Sequence, residues 1–479
     1  MGVVTRAKKR KLEEEERLED RISRLPDGIL SDIVTLLPTK DGARTQVLSS
    51  RWRHIWRSAP LNLALDALRL NADRRVTVAA GEISRILAVH PGPCRRFCTR
   101  FWYLYPDDNP TAATAALLDG WLRSPTLDGL QELEFHFGSY WFPLGWSPPQ
   151  LLLAQICRFS STLRAASFSG CAFPEGNAAG DLHLPVLKKL SLVQSMISES
   201  SLQALIAGCP VLESLLLFRM LGFSCLRIVS SRIRSIVVHP GPRGDRYSGG
   251  NGILQHLVLQ DAPCLERLLL FSCGHGMVMD ISVISAPKLS VLGALSDDFD
   301  IAFQGQNLTV VPRIKILALA NMHLRLDVVI NFLKCFPCLE ELCIKTIMGG
   351  HKNEWGDEYW NLVISTLDVR VKKVTLLNYR GDTSHVNFAK FFVLNARVLE
   401  SMVLELENGM MLSTEWIEKQ HECLHTNNRA SSGVRFEFVR RESRSRMPGY
   451  GLEAYAHDLS TVDPFVRWHG NGHLGYLGP

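Results

Sequence analysis

No stretch of this 479-residue chain strings together the ~18 apolar residues that a membrane-crossing helix needs. Its N-terminus is basic and then acidic instead of apolar, which speaks against a secretory leader. A soluble chain of the nucleus or cytoplasm is the expectation, with no membrane partner. Its 12 cysteines form no regular framework. They stand singly in apolar surroundings such as Gly208-Cys209-Pro210 and Pro263-Cys264-Leu265, which excludes the disulfide scaffold of small secreted domains and reads as buried, reduced thiols. Glycine-rich phosphate loops and serine-nucleophile elbows are both missing. Nor is charge of one sign concentrated: 53 basic and 48 acidic residues are interspersed for a net +5, unlike the basic face of a nucleic-acid binder. Protein partners fit that balance better. What remains is an ordinary globular composition, 46% hydrophobic and 21% charged, with length for roughly two to four domains.

Some local features stand out from that background. Lys8-Lys9-Arg10-Lys11, followed by Glu13 to Glu16, reads either as a nuclear import signal or as part of a disordered charged tail over residues 1–19. His421-Glu422-Cys423-Leu424-His425 has the spacing at which two helical histidines bind zinc beside a glutamate base. A zinc protease would also need a third ligand and a cleft, whereas this segment runs at once into Thr426-Asn427-Asn428-Arg429, a helix ending. A surface helix over 415–425, with Trp416, Ile417 and Leu424 packed inward, is the simpler reading. Cys335 and Cys338 have no second pair at ligand spacing and read as core thiols. No metal, cofactor or catalytic residue is assigned.

The middle of the chain is organised by one recurring phrase: an apolar residue, two variable positions, an apolar residue, one variable position, an apolar residue. It stands at Leu130/Leu133/Phe135, Leu187/Leu190/Leu192, Leu212/Leu215/Leu217, Ile233/Ile236/Val238 and Leu265/Leu268/Leu270. It continues at Ile314/Leu317/Leu319, Leu339/Leu342/Ile344, Val371/Val374/Leu376 and Leu399/Met402/Leu404, with a truncated copy at Leu289/Leu292. Cys209-Pro210, Ala262-Pro263, Ala286-Pro287 and Phe336-Pro337 each lead into a copy. The interval of roughly 21–33 residues is centred near that of leucine-rich repeats. The last two apolar positions lie two apart, so on a strand they enter one interior while their neighbours face out. A unit this short cannot bury its apolar face alone. The copies should therefore stack into a curved solenoid with a parallel sheet along one side and helical segments such as 198–207 and 326–335 along the other. An ordinary α/β domain is the alternative, and the repeated proline lead-in counts against it.

Residues 20–60 read differently. Pro26 is a favoured first-turn residue, and Ile29, Leu30, Ile33 and Leu37 make one apolar face of a helix that Pro38 ends. A second amphipathic stretch runs from Val47 to Trp56. A module of ~40 residues buries too little to be strongly stable by itself and invites a partner. Leu25-Pro26, Ile29-Leu30, Leu37-Pro38-Thr39-Lys40-Asp41, Val47-Leu48-Ser49, Arg51-Trp52-Arg53 and Trp56 resemble the F-box motif in order and spacing. The resemblance implies a three-helix module that docks on a Skp-type adaptor and through it a cullin. It implies adaptor contact at Leu25, Pro26, Ile29, Ile33, Leu37, Leu48 and Trp52. The competing role for any of these, and for Trp56 and Leu30 especially, is to fill the module's own core.

Toward the C-terminus, Val371 to Gly381 and then Phe388 to Glu405 read as a strand, a turn and a helix leading into another strand. Asn395-Ala396-Arg397-Val398-Leu399-Glu400-Ser401-Met402 resembles the FBD segment that follows F-box and leucine-rich repeats in one large plant family. Its expected role is to cap the open edge of the sheet. The fold class is thus α/β: an N-terminal three-helix F-box over 20–60, linking helices and irregular first repeats over 61–125, a curved leucine-rich repeat solenoid over 126–365, an FBD cap over 366–440, and a loosely ordered tail over 441–479. The resemblance implies a non-catalytic substrate-recognition subunit of a Skp-cullin-F-box ubiquitin ligase, holding an unknown target protein on its repeats. Leu216, Phe218, Val237, Leu269 and Phe271 are the expected target contacts, because they occupy variable strand positions whose apolar area a solenoid core does not require. A repeat scaffold without ubiquitylation is the alternative, and a zinc metalloprotease the remote one.

Overall fold

The computed structural model describes residues 22, 24–37, 39–64, 76–102, 112–138, 150–151, 153–174, 182–239, 254–270, 279–295, 299–303, 306–307, 313–322, 324–346, 368–407, 409–440 and 457–460. The tail 1–19 with its Lys8-Lys9-Arg10-Lys11 cluster, Phe271, and the 441–479 tail apart from 457–460 lie outside them. The chain divides into two compact units, residues 1–102 with 110–136 and residues 103–109 with 137–479.

The first unit opens with helices α1 (Asp27–Leu36), α2 (Thr39–Arg44) and α3 (Ser50–Ser58), with a 3-10 turn at Thr45–Val47 between the last two. Helix α1 begins one residue after Pro26, and its expected single apolar face is divided. Leu30 and Val34, one turn apart, enter a core with Trp52, Ile55 and Ala59, while Ile29 and Ile33 turn outward. There follow β1 (Leu61–Ala64), α4 (Val76–Val89), β2 (Cys94–Trp102), α5 (Ala112–Leu122) and β3 (Glu132–Gly138), with β1 and β2 parallel. The nearly buried Glu134 of β3 is paired on both oxygens, with Arg96 Nη2 at 3.1 Å and His136 Nε2 at 3.0 Å.

The second unit carries the repeats. Its strands are β4 (Ala165–Ser169), β5 (Lys189–Val193), β6 (Ser214–Phe218), β7 (Cys225–Val229), β8 (Ser235–His239), β9 (His256–Asp261) and β10 (Arg267–Leu270). They continue as β11 (Met279–Val283), β12 (Val291–Leu295), β13 (Phe299–Phe303), β14 (Gln306–Asn307), β15 (Ile316–Met322), β16 (Glu341–Thr346), β17 (Lys373–Tyr379), β18 (Ser401–Leu406) and β19 (Arg435–Val439). The connections hold α6 (Leu153–Cys157), α7 (Glu199–Ala207), α8 (Leu326–Cys335), α9 (Thr383–Asn395) and α10 (Thr414–Cys423). Helix α7 starts where a Ser198 Oγ accepts the Ser201 amide at 3.2 Å.

A parallel sheet runs through this unit in the order β4-β5-β6-β8-β10-β12-β15-β16-β17-β18-β19. The middle apolar residue of each repeat stands opposite the next: Leu190, Leu215, Ile236, Leu268, Leu292, Leu317, Leu342, Val374 and Met402 form one continuous buried column. The expected stack of leucine-rich repeats is therefore present. Ala166 on β4 and Phe436 on β19 extend the column at its two ends.

Directly after the first apolar residue of most copies, with Gln131 and Ser290 as the exceptions, comes a ladder of alternating charge. Lys188 meets Glu213 at 2.8 Å, Arg234 meets Glu266 at 2.9 Å, and Glu340 lies between Lys315 at 3.2 Å and Lys372 at 3.0 Å. Like charges directly opposite on paired strands repel, so the alternation favours this strand order and register. Each exposed pair contributes only ~0–1 kcal/mol, but slipping the register would lose them together.

One part of the architecture differs from expectation. Between β6 and β15 the described parts of the return segments form a second sheet, in the order β14-β13-β11-β9-β7, where a helix or irregular return was expected. Leu226 and Ile228, Leu257 and Leu259, and Met279, Ile281 and Val283 are buried at every second position, the period of a strand and not of a helix. At the far end, the Tyr379 hydroxyl donates to Gln420 Oε1 at 2.8 Å, and Trp416 of α10 meets Phe438 of the last strand edge-on, with ring centres 5.6 Å apart.

Candidate functional site

Helix α1 sets Ile29, Ile33 and Leu36 four and three residues apart, on one stripe, and leaves them 47%, 39% and 72% exposed. Val47 and Leu48, at the end of the 3-10 turn, are 85% and 63% exposed. Large apolar side chains left open on so small a module form a candidate association surface. The module behind them is fastened by its polar residues. Arg51 Nε donates to Asp27 Oδ1 at 2.7 Å and its Nη2 to the Leu25 carbonyl at 2.5 Å, pinning the start of α3 to the start of α1. A Cβ at Gly42 would stand 2.5 Å from Trp56 Cζ3, so only glycine lets that indole lie against α2. The Thr39 hydroxyl donates to the Asn62 carbonyl, and the Asn62 amide to the Thr35 carbonyl, which ties the module to β1.

Of the residues expected to touch an adaptor, Pro26, Ile29, Ile33 and Leu48 are exposed, and Leu25 and Leu37 are half-buried. Trp52 is placed otherwise. At 6% exposure it is part of the module's core, because Trp52 and Ile55, three residues apart, turn the same side of α3 toward Leu30 and Val34. Leu36 and Val47, more open than Ile29, Ile33 and Leu48, were not among them. The spacing of Ile29, Ile33 and Leu36 held the signal for Leu36.

The expected target contacts also differ. Leu216, Phe218, Val237 and Leu269 do not form an open apolar face: they are buried in a second core with Val291, Ala294, Ile316, Ala318, Ala320, Cys343 and Leu377. Phe218 packs on the ring of His239 at 4.3 Å between centres, and the Arg219 guanidinium lies 5.5 Å from its face. Among the described residues, the C-terminal segment 457–460 reaches this side of the sheet. The His457 ring lies between two serines, Nε2 at 2.8 Å from Ser191 Oγ and Nδ1 at 2.8 Å from Ser214 Oγ. Arg267 donates from Nη1 to the Asp458 carbonyl at 2.8 Å and from Nη2 to the Leu459 carbonyl at 3.2 Å. Part of the tail expected to be loosely ordered is thus seated on β5, β6 and β10. Burial, and then the Lys189 charge, push the His457 imidazole down to about 3, so it sits there neutral.

The zinc-like spacing belongs to the end of the unit. Helix α10 stops at Cys423, and His425 follows in the left-handed conformation (φ 53°) with its Nε2 3.1 Å from Lys390 Nζ. The His421 ring packs edge-on against Phe436 and Phe438, with centres 5.6 and 5.4 Å away. Among the described residues no three histidine, cysteine, aspartate or glutamate side chains converge as a metal site. Cys335 is buried and Cys338 exposed. Burial pushes the thiols of Cys94, Cys171 and Cys209 up to about 12, which keeps them protonated and unreactive.

Three family models match the chain in sequence order. The F-box domain covers residues 22–63, the leucine-rich repeats of FBD-associated F-box proteins cover 118–344, and the FBD covers 361–404. The chain belongs to the F-box/FBD/leucine-rich repeat family. Among its relatives in Arabidopsis thaliana, F-box/LRR-repeat protein At3g03360 is 32% identical over 42% of this chain and 38% of its own length. F-box/FBD/LRR-repeat protein At1g13570 is 32% identical over 41% of this chain and 43% of its own. The chain therefore spans less than half the length of these two relatives. Putative F-box/FBD/LRR-repeat protein At5g44950 is 24% identical over 83% of this chain and 94% of its own length.

In this family member the FBD match holds α9 and β18 up to Leu404, while the end of the sheet is made by α10 and β19 beyond it. The edge strand β19 is itself short and charged, with Arg435, Glu437 and Val439 outward.

Proposed function

We propose that this chain is the substrate-recognition subunit of a Skp-cullin-F-box ubiquitin ligase, holding a Skp-type adaptor with its F-box and a target protein with its repeats. The observation that carries the reading is the outward stripe Ile29, Ile33 and Leu36 on a module whose own core closes without it. A partner helix laid on that stripe would bury what the module leaves wet. The chain then contributes no chemistry: it raises the concentration of a target beside the transferring subunits. We place it in the nucleus or cytoplasm. A fluorescent fusion, intact or with Lys8-Lys9-Arg10-Lys11 changed to alanine, tests whether that cluster directs import.

The adaptor claim is tested by immobilising a purified Skp-type adaptor. The expected result is retention of the intact chain and loss of an Ile29→Asp/Leu48→Asp variant with unchanged melting. No retention of the intact chain at micromolar concentration would end this reading. Retention without ubiquitin transfer to any captured protein in the assembled ligase would favour a scaffold instead.

A further inference from the structure

We propose that the face of β5, β6, β8 and β10 is a binding site for a turned peptide segment carrying a histidine, occupied in this chain by its own His457–Leu459 segment, which a target must displace. The inference rests on the repeats being the target-binding part of the chain.

The site is built, not merely covered. Lys189, Ser214, Ser235 and Arg267 stand opposite one another on successive strands, and Ser191 lies one step further along β5 on the same side. Ser191 and Ser214 receive the two ring nitrogens of His457, both at 2.8 Å. A neutral imidazole has one donor and one acceptor, and a hydroxyl serves either, so the serine pair accepts whichever tautomer arrives. Arg267 is itself nearly buried and spends two donors on consecutive main-chain carbonyls, those of Asp458 and Leu459. The segment turns here, its Leu459 amide donating to the His457 carbonyl at 3.2 Å, so a turned peptide offers Arg267 both carbonyls, and the serine pair adds the demand for a ring with two nitrogens. The division is that of a peptide groove: a backbone anchor beside a side-chain pocket.

The resident segment fits this row imperfectly. Ser235 Oγ, between Ser214 and Arg267 in register, is fully buried and has no hydrogen-bond partner among the described residues. A ligand that reaches it gains a bond the segment does not make, which is how a target can outcompete a sequence tethered at high local concentration.

The test uses the full chain and a labelled peptide of residues 454–463, followed by fluorescence anisotropy, with neither adaptor nor target present. Wild-type chain holds its own segment and should bind the peptide weakly. The His457→Ala chain should bind it more than about tenfold tighter, since the groove is then open. A peptide carrying His457→Ala should bind neither, and Ser191→Ala/Ser214→Ala in the His457→Ala chain should abolish binding of the normal peptide, with melting checked for each protein. Equal affinity for wild-type and His457→Ala chains, or no binding to either, overturns the proposal. Because the assay contains no adaptor, that failure would leave the ligase reading untouched, and a failed adaptor pull-down would leave this one standing.

Discussion

Truncating Leu36 and Leu48 to alanine should weaken adaptor binding while leaving the fold intact. Fully burying a leucine side chain is favourable by ~1.5–3 kcal/mol. Scaled by the 72% and 63% of each that is open in the free chain, a docked adaptor gains ~1–2 kcal/mol from each. The double variant should therefore lose ~2–4 kcal/mol, about thirty- to a thousandfold in Kd. Stability should move by no more than ~0.5 kcal/mol, since neither side chain belongs to the core of Leu30, Val34, Trp52, Ile55 and Ala59. Isothermal titration of a purified Skp-type adaptor gives the first quantity and thermal melting the second. An affinity within about threefold of wild type at unchanged melting would refute the argument, because the open apolar surface would then not be the docking face.

Trp52→Ala is the contrasting case: it should destabilise the first unit by ~3–5 kcal/mol, read as lost helical signal on heating, and weaken adaptor binding only through unfolding. Tyr379→Phe removes the buried bond to Gln420 Oε1 and should lower stability by ~1–3 kcal/mol in a denaturant titration, while Trp416 fluorescence reports the same transition. Glu340→Lys puts three cations in a row at Lys315 and Lys372 and should cost ~1–2 kcal/mol in low salt, recovered when salt is raised or when Lys315 and Lys372 are changed to glutamate. Binding of the 454–463 peptide to the His457→Ala chain should weaken as pH falls. The imidazole titrates at 6.5 when free and at about 3 when seated, so the seated form excludes the proton, and affinity is full above 6.5 and drops about tenfold per unit below it. A flat profile between pH 7 and 5 would show that His457 is not the seated group.

The sequence determined the order of modules and the identity of the core column. Leu190 through Met402 stack because strand periodicity and a short repeat allow one shared interior, and both are local properties of the chain. The charge ladder was equally present, at the position after the first apolar residue of most copies, although its meaning depends on which strands become neighbours. Three things only the folded chain decided. Leu216, Val237 and Leu269 read as surplus apolar area in a single repeat, but a parallel sheet sets them side by side, and together they become a second core. The returns of β7, β9 and β11 became a sheet because each found a neighbour of the same period, a condition no single segment carries. Which of α1's apolar residues faced inward was fixed by where α3 put Trp52 and Ile55, and the meeting of His457 with Ser191 and Ser214 joins residues more than two hundred positions apart, beyond the reach of any local pattern.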